Sequence, residues 1–239
     1  ILPTYNERAT IAKVLEDVTA QGELIHVLVV DDDSPDGTGD LVQVVAEAEP
    51  RVRLLRRPGK QGLASAYLTG FRTALRDAYD VVVEMDADLS HRPEDLPRLI
   101  EGSARHDLTI GSRYVPGGAV TNWSPARVRL SKAGNAYARV MLRLPVADAT
   151  SGYRAYRRTL LRALVDEGIH SDGYAFQIEL AYRAHRLGYS IGEIPITFRE
   201  REHGHSKLSR RIILEALVKV GRWGLRDRLR RRPARLKSA

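Results

Sequence analysis

The sequence predicts an α/β fold with a mostly parallel central sheet flanked by helices, followed by a C-terminal amphipathic helix. Two observations favour this fold class. Residues 1–110 alternate short apolar stretches with amphipathic helical patterns, which is typical of βαβ units. From residue 209 onward, the pattern changes to an apolar face flanked by basic side chains. We therefore expect two units, a body of residues 1–208 and a terminal segment of residues 209–239.

Composition limits the class of protein. The chain has 239 residues, of which 43% are hydrophobic, and this is enough for one sizeable core. It contains no cysteine, which excludes disulfides and cysteine-ligated zinc and is compatible with a reducing compartment. No apolar run reaches about 18 residues and no signal-peptide pattern is present, so we expect a soluble or peripheral protein. Ile1 falls inside a strand pattern, and we expect that the natural chain extends before it.

The net charge of +8 is concentrated at one end of the chain. Residues 226–239 contain seven basic residues and one acidic residue, and so hold six of the eight net positive charges. A basic tail on a nearly neutral body indicates an anionic partner.

The first half of the chain is predicted element by element. Apolar strands are expected at residues 1–2, 25–30, 52–55, 81–85 and 108–110. The helices between them begin near residues 8, 38, 63 and 93. Helical spacing of apolar residues predicts three inward faces, formed by Ile11, Val14, Leu15 and Val18, by Leu41, Val44, Val45 and Ala48, and by Ala66, Tyr67, Gly70, Phe71, Ala74 and Leu75.

The second half is less regular. We expect a loop at residues 111–125, helices at 126–142 and 174–187, a mixed segment at 148–156, and a strand at 190–198. Pro195 has no amide hydrogen for a sheet interior, which predicts that the last strand lies at an edge. The terminal helix has an apolar face formed by Ile212, Ile213, Ala216, Leu217, Val220, Trp223 and Leu225. Basic residues flank this face: Arg210, Arg211, Lys219 and Arg222.

The stretch VVVEMDADLSH, residues 81–91, predicts a metal site. A buried strand ends near Asp86 and Asp88, whose side chains point the same way because extended backbone alternates faces with period two. Two carboxylates at the carboxyl end of a strand suit Mg²⁺ or Mn²⁺ carrying a diphosphate. Asp31 and Asp33, after the second strand, have the same spacing and remain an alternative pair.

Two further loops follow strand ends. Tyr5 in PTYNE suits packing on a base, and a carboxylate of the acidic run at residues 31–33 suits accepting hydrogen bonds from a base or ribose. The alternative interpretation is that these loops cap helices and form solvated turns. The sequence contains neither the G-x-G-x-x-G pattern of dinucleotide-binding proteins nor the P-loop pattern.

Six motifs carry a resemblance to a known family: PTYNE, VVDDDSPDGT, MDADLSH, GSRY, DATSGYRAY and HGHSKL, in this order over nearly the whole chain. With them the chain resembles family 2 glycosyltransferases, and within that family the dolichyl or polyprenyl phosphate mannosyltransferases. The resemblance implies a GT-A-type fold with residues 1–208 as the catalytic domain. It also implies a GDP-mannose donor, a polyprenyl (dolichyl) monophosphate acceptor, Mg²⁺ or Mn²⁺, and inversion at the anomeric carbon.

The resemblance also assigns roles to individual positions. The implied nucleotide pocket consists of Pro3, Tyr5, Glu7, Val30, Asp32, Asp86 and Ala87. The implied metal ligands are Asp86 and Asp88, with Ser90 at a position where some relatives carry glutamine. The implied acceptor-phosphate site consists of Arg113, Arg127, Ser131, Arg201, Ser206 and Lys207. Of these residues, Asp88, Arg113, Arg127 and Arg201 are expected to be catalytic.

The implied reaction gives these basic residues a physical role. A phosphate acceptor approaches a diphosphate that is itself anionic, so fixed cations must offset the repulsion and stabilise the departing GDP. Guanidinium groups suit this task because they bind phosphate through two hydrogen bonds. The acceptor is already ionised near pH 7, so no strong general base is required. Asp148 either orients a substrate or holds its own turn, and Arg129, Arg157 and Arg158 are expected to be surface charges.

The terminal helix has two interpretations. With Trp223 and its flanking cations, it would lie in the interface at the cytoplasmic face of a membrane, where the headgroup of a polyprenyl phosphate emerges. Alternatively, its apolar face packs on the body and leaves a solvated basic tail. Some relatives carry transmembrane helices after the catalytic domain, so a separate membrane-anchoring subunit or domain is a further expected partner.

Two other functions compete with mannose transfer. Transfer of glucose from UDP-glucose to the same lipid depends on the shape of the base pocket, which the sequence does not show. A nucleic-acid-binding protein would use the basic tail. That alternative gives the acidic loops no role, and the body lacks interleaved aromatic and basic residues, so we expect no nucleic-acid partner.

Overall fold

The computed structural model describes residues 1–200 and 210–230, which contain nine strands, eight α-helices and one 3-10 helix at Pro93–Asp95. The strands are β1 (Leu2–Thr4), β2 (Val27–Asp31), β3 (Val52–Arg56), β4 (Val81–Glu84), β5 (Leu108–Ser112), β6 (Ala119–Thr121), β7 (Arg154–Arg157), β8 (Ile191–Pro195) and β9 (Thr197–Arg199). The helices are α1 (Arg8–Thr19), α2 (Thr38–Ala48), α3 (Leu63–Arg76), α4 (Leu96–Gly102), α5 (Pro125–Leu142), α6 (Arg158–Glu167), α7 (Gly173–Arg186) and α8 (Arg210–Arg230).

The N-terminal half forms the predicted parallel sheet, in the order β1-β2-β3. Ile1 connects this sheet to the next one. Its nitrogen donates to the Val83 carbonyl (2.7 Å), and its own carbonyl accepts from the Met85 amide (3.2 Å), so β4 runs parallel beside β1. The carboxyl ends of β1, β2 and β4 therefore lie along one edge, which is where open α/β sheets bind ligands.

The sequence pattern does not predict the central antiparallel strand. The second sheet has the order β4-β7-β5-β8, and β7 pairs antiparallel with both neighbours. Its sequence is RAYR, without the apolar run that is typical of a buried strand. The pairing of β5 with β8 is parallel again, so the prediction of a mostly parallel α/β fold is confirmed.

The strand expected at residues 190–198 is divided in two. Pro195 ends β8 at the edge of the second sheet, as predicted, and β9 pairs with β6 in a separate two-stranded ribbon. The segment expected to be a loop at residues 111–125 therefore contains the short strand β6. Its three residues, AVT, are too few and too weakly apolar to predict a strand from sequence.

Two of the three predicted helix faces are buried as expected, those of α1 and α3, apart from the partly buried Leu75. The face of α2 is rotated from the prediction. Val44 is 63% exposed and Val42 is fully buried, while Leu41 and Val45 are partly buried. Apolar residues occur on several sides of this short helix, so the sequence does not show which side packs on the sheet.

Two arginines expected at the surface bind backbone carbonyls instead. The Arg158 guanidinium donates to the carbonyl of Leu75 (2.7 Å) in the last turn of α3. The Arg157 guanidinium donates to the carbonyl of Ala104 (2.8 Å), just after α4. Helix ends leave such carbonyls without intrahelical partners, so these two cations cap the helices that flank the second sheet.

Helix α8 packs one face on the body. Val220 is buried against the core, and the Trp223 ring stacks on Tyr182 with centroids 5.5 Å apart. The Tyr137 hydroxyl donates to the Leu217 carbonyl (3.1 Å). The opposite face is exposed and apolar, and consists of Leu214, Val218, Leu225 and Leu229. The side chains of Ile212 and Ile213, the boundary at residues 208–209 and the tail at 231–239 lie outside the described part of the chain.

Within residues 1–200 and 210–230, no helix combines the length and apolar character that crossing a bilayer requires.

A buried polar cluster joins β4 to β7. Glu84 faces Arg154 across the two strands, with Arg154 Nε 3.6 Å from Glu84 Oε1, and the Tyr156 hydroxyl donates to the same carboxyl oxygen (2.9 Å). Burial raises the pKa of Glu84 to about 8, although the charge of Arg154 opposes the shift. Glu84 is two residues before Asp86, so this cluster supports the strand end that carries the acidic pair.

The raised pKa of Glu84 predicts a pH dependence of stability. The unfolded chain releases this proton near the ordinary pKa of 4.5, whereas the folded chain keeps it until about pH 8. The folded state is therefore stabilised at acidic pH, and this contribution is lost as pH rises from about 4.5 to about 8. Urea denaturation of wild type and Glu84→Gln at several pH values should show the variant gaining relative stability by up to about 1.4 kcal/mol per pH unit. Parallel pH profiles would contradict this.

Candidate active site

Asp32 is buried at the carboxyl end of β2 and has a basic neighbour. Its Oδ1 lies 2.9 Å from Arg57 Nε, and its Oδ2 accepts from the Gln61 amide (3.1 Å). Nη2 of Arg57 is buried without a hydrogen-bond partner among the described residues. Arg57 directly follows β3, and no role was predicted for it. Its position after a strand end was the signal that could have identified it.

The alternative acidic pair serves its own turn. Asp31 is buried and accepts hydrogen bonds from the hydroxyls of Thr4 (2.8 Å) and Ser34 (2.6 Å). Asp33 is exposed, in a left-handed backbone conformation with φ of 55°. Asp31 and Asp33 therefore have different surroundings, and the assignment of the metal to Asp86 and Asp88 stays a prediction.

The remaining predicted nucleotide residues differ in what they can contribute. Tyr5 is half-buried, with Lys60 Nζ 4.1 Å above its ring. Pro3 pairs with Val30 across β1 and β2, and the Val30 side chain is fully buried, so only the backbone of Val30 can face a ligand. Glu7 precedes α1, and its amide donates to Thr38 Oγ1 (3.0 Å).

The acidic pair after β4 is held by neighbouring groups. Asp86 accepts from the Tyr67 hydroxyl (3.3 Å), and Asp88 accepts from the Ser90 amide (3.1 Å). Ala87 is buried, and its carbonyl accepts from the Thr10 hydroxyl (2.9 Å). The Ser90 hydroxyl is buried without a hydrogen-bond partner among the described residues.

The described residues contain no cluster of three or more His, Cys, Asp or Glu side chains that could hold a metal ion. Two carboxylates fit a cation that takes its other ligands from water and substrate phosphates, which is how proteins usually bind Mg²⁺.

His91 lies between the acidic pair and the basic residues. Its Nδ1 accepts from the Asp86 amide (3.1 Å), and its ring stacks on Tyr153 with centroids 4.9 Å apart. It also meets the ring of Phe198, which is 5.4 Å from the Arg113 guanidinium. Burial lowers the pKa of His91, although the nearby aspartates oppose the shift. A neutral imidazole therefore supports the backbone of Asp86.

Arg113 and Asp148 form a buried ion pair. Nε and Nη2 of Arg113 donate to the two carboxyl oxygens of Asp148, each at 2.7 Å, and Nη2 also donates to Thr150 (2.7 Å). Burial alone would raise the pKa of Asp148, but the charge and hydrogen bonds of Arg113 outweigh it and lower the pKa. Of the two roles considered for Asp148, the structure favours the structural one, because Asp148 binds Arg113 with both carboxyl oxygens and accepts from Thr150 in its own turn.

Arg127 and Ser131 extend this basic group along α5. The Arg127 guanidinium pairs with Glu200 and lies 4.0 Å from the centre of the Trp123 ring. The Ser131 hydroxyl accepts from the Tyr114 hydroxyl (2.7 Å). Trp123 also lies 5.6 Å from the Arg113 guanidinium, and its indole nitrogen has no hydrogen-bond partner among the described residues. Sequence reasoning missed Trp123, because a tryptophan in an irregular loop has no periodic pattern.

A cavity of about 540 Å³ lies between α5 and α8, next to these side chains. Arg113, Arg127 and Ser131 line it, so the structure brings three of the six predicted acceptor-phosphate residues together. Arg201, Ser206 and Lys207 lie outside the described residues. The rest of the lining is mostly apolar and comprises Trp123, Leu130, Ala133, Gly134, Tyr137, Ala138, Thr150, Ile178, Ala216, Leu217 and Val220.

The carboxylate pair after β4 is connected through His91 and Phe198 to Arg113, which lines the basic and apolar cavity. This combination suits an enzyme that transfers a group between anionic substrates. Residues 1–165 match the model of Glycosyl transferase family 2. The chain belongs to this family and is a glycosyltransferase, which confirms the family resemblance.

Two relatives match nearly the whole chain. Polyprenol monophosphomannose synthase of Mycolicibacterium smegmatis is 51% identical over 233 residues, which cover 97% of this chain and 88% of that protein. Undecaprenyl-phosphate mannosyltransferase of Micrococcus luteus is 51% identical over 236 residues, which cover 99% of this chain and 97% of that protein.

Solved structures confirm the GT-A-type fold. Glucosyl-3-phosphoglycerate synthase from Mycobacterium tuberculosis, in complex with phosphoglyceric acid, superposes with a TM-score of 0.66 at 23% identity and covers 92% of this chain and 78% of that one. The same enzyme with Mn²⁺ and UDP-glucose gives a TM-score of 0.62 at 23% identity, with 96% and 77% covered. At this identity, the similarity defines the fold.

The burial of the Arg113 and Asp148 pair predicts a large effect of breaking it. Asp148→Asn leaves a guanidinium charge without its counterion in the interior, and should lower the free energy of unfolding by about 3 kcal/mol in urea denaturation. Asp77→Asn is the matched control, because Asp77 pairs with the half-exposed Arg53 at 2.6 Å. That variant should lose less than about 1 kcal/mol. Equal losses in the two variants would contradict the structural role of Asp148.

Proposed function

We propose that this glycosyltransferase transfers mannose from GDP-mannose to a polyprenyl (dolichyl) monophosphate, with inversion at the anomeric carbon. The observation that carries the proposal is the cavity between α5 and α8, because it combines two arginines and a serine with a long apolar wall. A lipid monophosphate has the same division into an anionic head and an apolar chain. The names of the two 51% identical relatives support the same acceptor class and sugar.

The cavity has a polarity that suits such an acceptor. Along α5 the lining passes from Arg127 and Ser131 to Gly134 and Ala138. This distance is eleven residues, or about 16 Å of helix. A phosphate beside Arg127 and Ser131 would therefore leave its chain against the apolar part of α5 and the facing residues of α8.

The basic groups differ in how readily they can receive a phosphate. The Arg113 and Asp148 pair is almost fully buried, so we expect it to stay intact and to position Arg113. The Arg127 side chain is 26% exposed and that of Glu200 is 38% exposed, and water access makes this pair easier to exchange for a phosphate. Arg201 and Lys207 would add the net positive charge that the paired arginines lack.

In the proposed reaction, an oxygen of the acceptor phosphate attacks C1 of mannose from the face opposite GDP. The new bond from C1 to oxygen forms as the bond from C1 to the diphosphate breaks, and the electron pair leaves with GDP. A divalent cation held by Asp86 and Asp88 would neutralise the diphosphate. Arg113 and Arg127 would hold the acceptor phosphate and offset its repulsion from the donor. No proton transfer is needed, because the acceptor is already ionised.

The function is tested by incubating the enzyme with Mn²⁺, radiolabelled GDP-mannose or UDP-glucose, and undecaprenyl phosphate, and counting label in the organic phase. We expect label from GDP-mannose. Label from UDP-glucose alone would replace the donor assignment, and no label from either would overturn the function.

The metal assignment has its own test. Asp88→Asn should weaken Mn²⁺-dependent GDP-mannose binding in calorimetry by at least about 100-fold, because one of two carboxylate ligands is removed. Asp33→Asn is the matched control: it changes the rival pair by the same chemistry, and asparagine tolerates the left-handed backbone at this position. Loss of binding in Asp33→Asn with normal binding in Asp88→Asn would contradict the assignment.

We also propose that α8 holds the enzyme on the cytoplasmic surface of a membrane. Its exposed face contains Leu214, Val218, Leu225 and Leu229, each more than half exposed. Arg222, Arg226 and Arg228 lie beside this face and suit anionic lipid headgroups. The same helix forms one wall of the cavity, so this orientation would bring the cavity to the membrane surface.

The membrane proposal predicts the effect of charge on this face. Val218→Glu with Leu225→Glu should reduce sedimentation with anionic liposomes by at least about tenfold. The two glutamates remove apolar contacts with the lipid and are repelled by its anionic headgroups. Leu24→Glu with Val44→Glu makes the same change at exposed positions elsewhere and should leave sedimentation unchanged. Equal binding by the two double variants would rule out this face as the membrane contact.

A further inference from the structure

Gly134 lies in the interior of α5, where glycine is one of the least favourable residues for a helix. Most glycines in such positions are required by the backbone or by a close neighbour. Gly134 has neither requirement. Its φ is not positive, and among the described residues an added Cβ would meet no atom within 4 Å outside the adjacent backbone of its own helix.

Two glycines of α8 provide a contrast. An added Cβ at Gly224 would lie 2.6 Å from the Met141 carbonyl oxygen, and one at Gly221 would lie 3.0 Å from the Tyr137 hydroxyl. Gly224 is needed for the close approach of α8 to the backbone of α5, and Gly221 leaves room for the Tyr137 hydroxyl. The packing of the folded chain therefore explains Gly221 and Gly224 but does not explain Gly134.

The open space at Gly134 belongs to the cavity, because Gly134 is one of its lining residues. It is also close to the charged end. Gly134 follows Ser131 by three residues, so the two lie on one side of α5 about 4.5 Å apart along the axis. A phosphate at Ser131 would place the first carbon units of its chain beside Gly134.

We propose that Gly134 is a specificity-determining residue that admits the methyl-branched chain of an isoprenoid phosphate immediately behind its phosphate. This inference rests on the proposed function. An isoprenoid carries a methyl branch on every repeating unit and is wider there than an unbranched alkyl chain. A Cβ at position 134 fills part of the space that the methyl branch needs, so it obstructs a branched chain more than an unbranched one.

The test compares two acceptors of equal main-chain length, farnesyl phosphate and dodecyl phosphate, in wild type, Gly134→Ala and Gly134→Leu. Gly134→Ala should lower the ratio of kcat/KM for farnesyl phosphate to that for dodecyl phosphate by about tenfold. Gly134→Leu should lower kcat/KM for both acceptors by at least about 100-fold. GDP-mannose affinity should change less than about twofold in either variant, because position 134 does not line the donor edge.

Ala136→Leu is the matched control, since it adds bulk to an exposed position of the same helix and should leave the acceptor ratio unchanged. Thermal denaturation checks folding, and Gly134→Ala should raise the melting temperature by a few degrees because alanine favours helix. An unchanged acceptor ratio in a folded, more stable Gly134→Ala would overturn the role of Gly134 and leave the proposed function intact. A wild-type enzyme that uses no isoprenoid phosphate would overturn both.

Discussion

The buried guanidinium of Arg154 is the constraint on which the site depends. It is fully buried and donates to the carbonyls of Ala149, Ser151 and Gln177 at 2.7–2.8 Å, while Glu84 lies beside it. One cation thereby connects three segments: the strand before the acidic pair, the loop after Asp148, and α7. An unpaired buried charge is costly, so these segments are stable only in an arrangement that satisfies all of its donors.

The same principle divides the charges of the site into fixed and exchangeable groups. Asp148 and Arg113 are held in the interior by several hydrogen bonds and act as a rigid unit. The Asp148 loop is itself held, because Glu193 accepts the amides of Ala147 (2.7 Å) and Asp148 (2.9 Å). The more exposed pair formed by Arg127 is where an anion can compete. A rigid support next to an exchangeable pair lets the site bind a phosphate without reorganising its core.

Sequence reasoning succeeded where a local pattern reports the environment of a residue. The strand that ends at Glu84, just before Asp86, follows from an apolar run, and the inward face of Tyr67 and Phe71 follows from a period of 3.6 residues. It failed where long-range contacts decide. The central strand β7 carries arginines that a local pattern assigns to the surface, and Trp123 and Arg57 gain their roles from residues distant in sequence. The competing pair at Asp31 has the same spacing as the pair at Asp86, and only the structure shows that Asp31 accepts hydrogen bonds from the hydroxyls of Thr4 and Ser34.

The sequence by itself determined the α/β class, the family and the acidic strand end, because apolar periodicity and short motifs are properties of adjacent residues. The tertiary structure alone decided which carboxylates are engaged elsewhere, that Arg113 is neutralised by Asp148, and that α5 and α8 enclose a cavity. It also showed that α8 packs on the body by one face and leaves the other apolar face exposed. These features depend on contacts between segments far apart in the chain, and burial and charge pairing arise only when those segments meet.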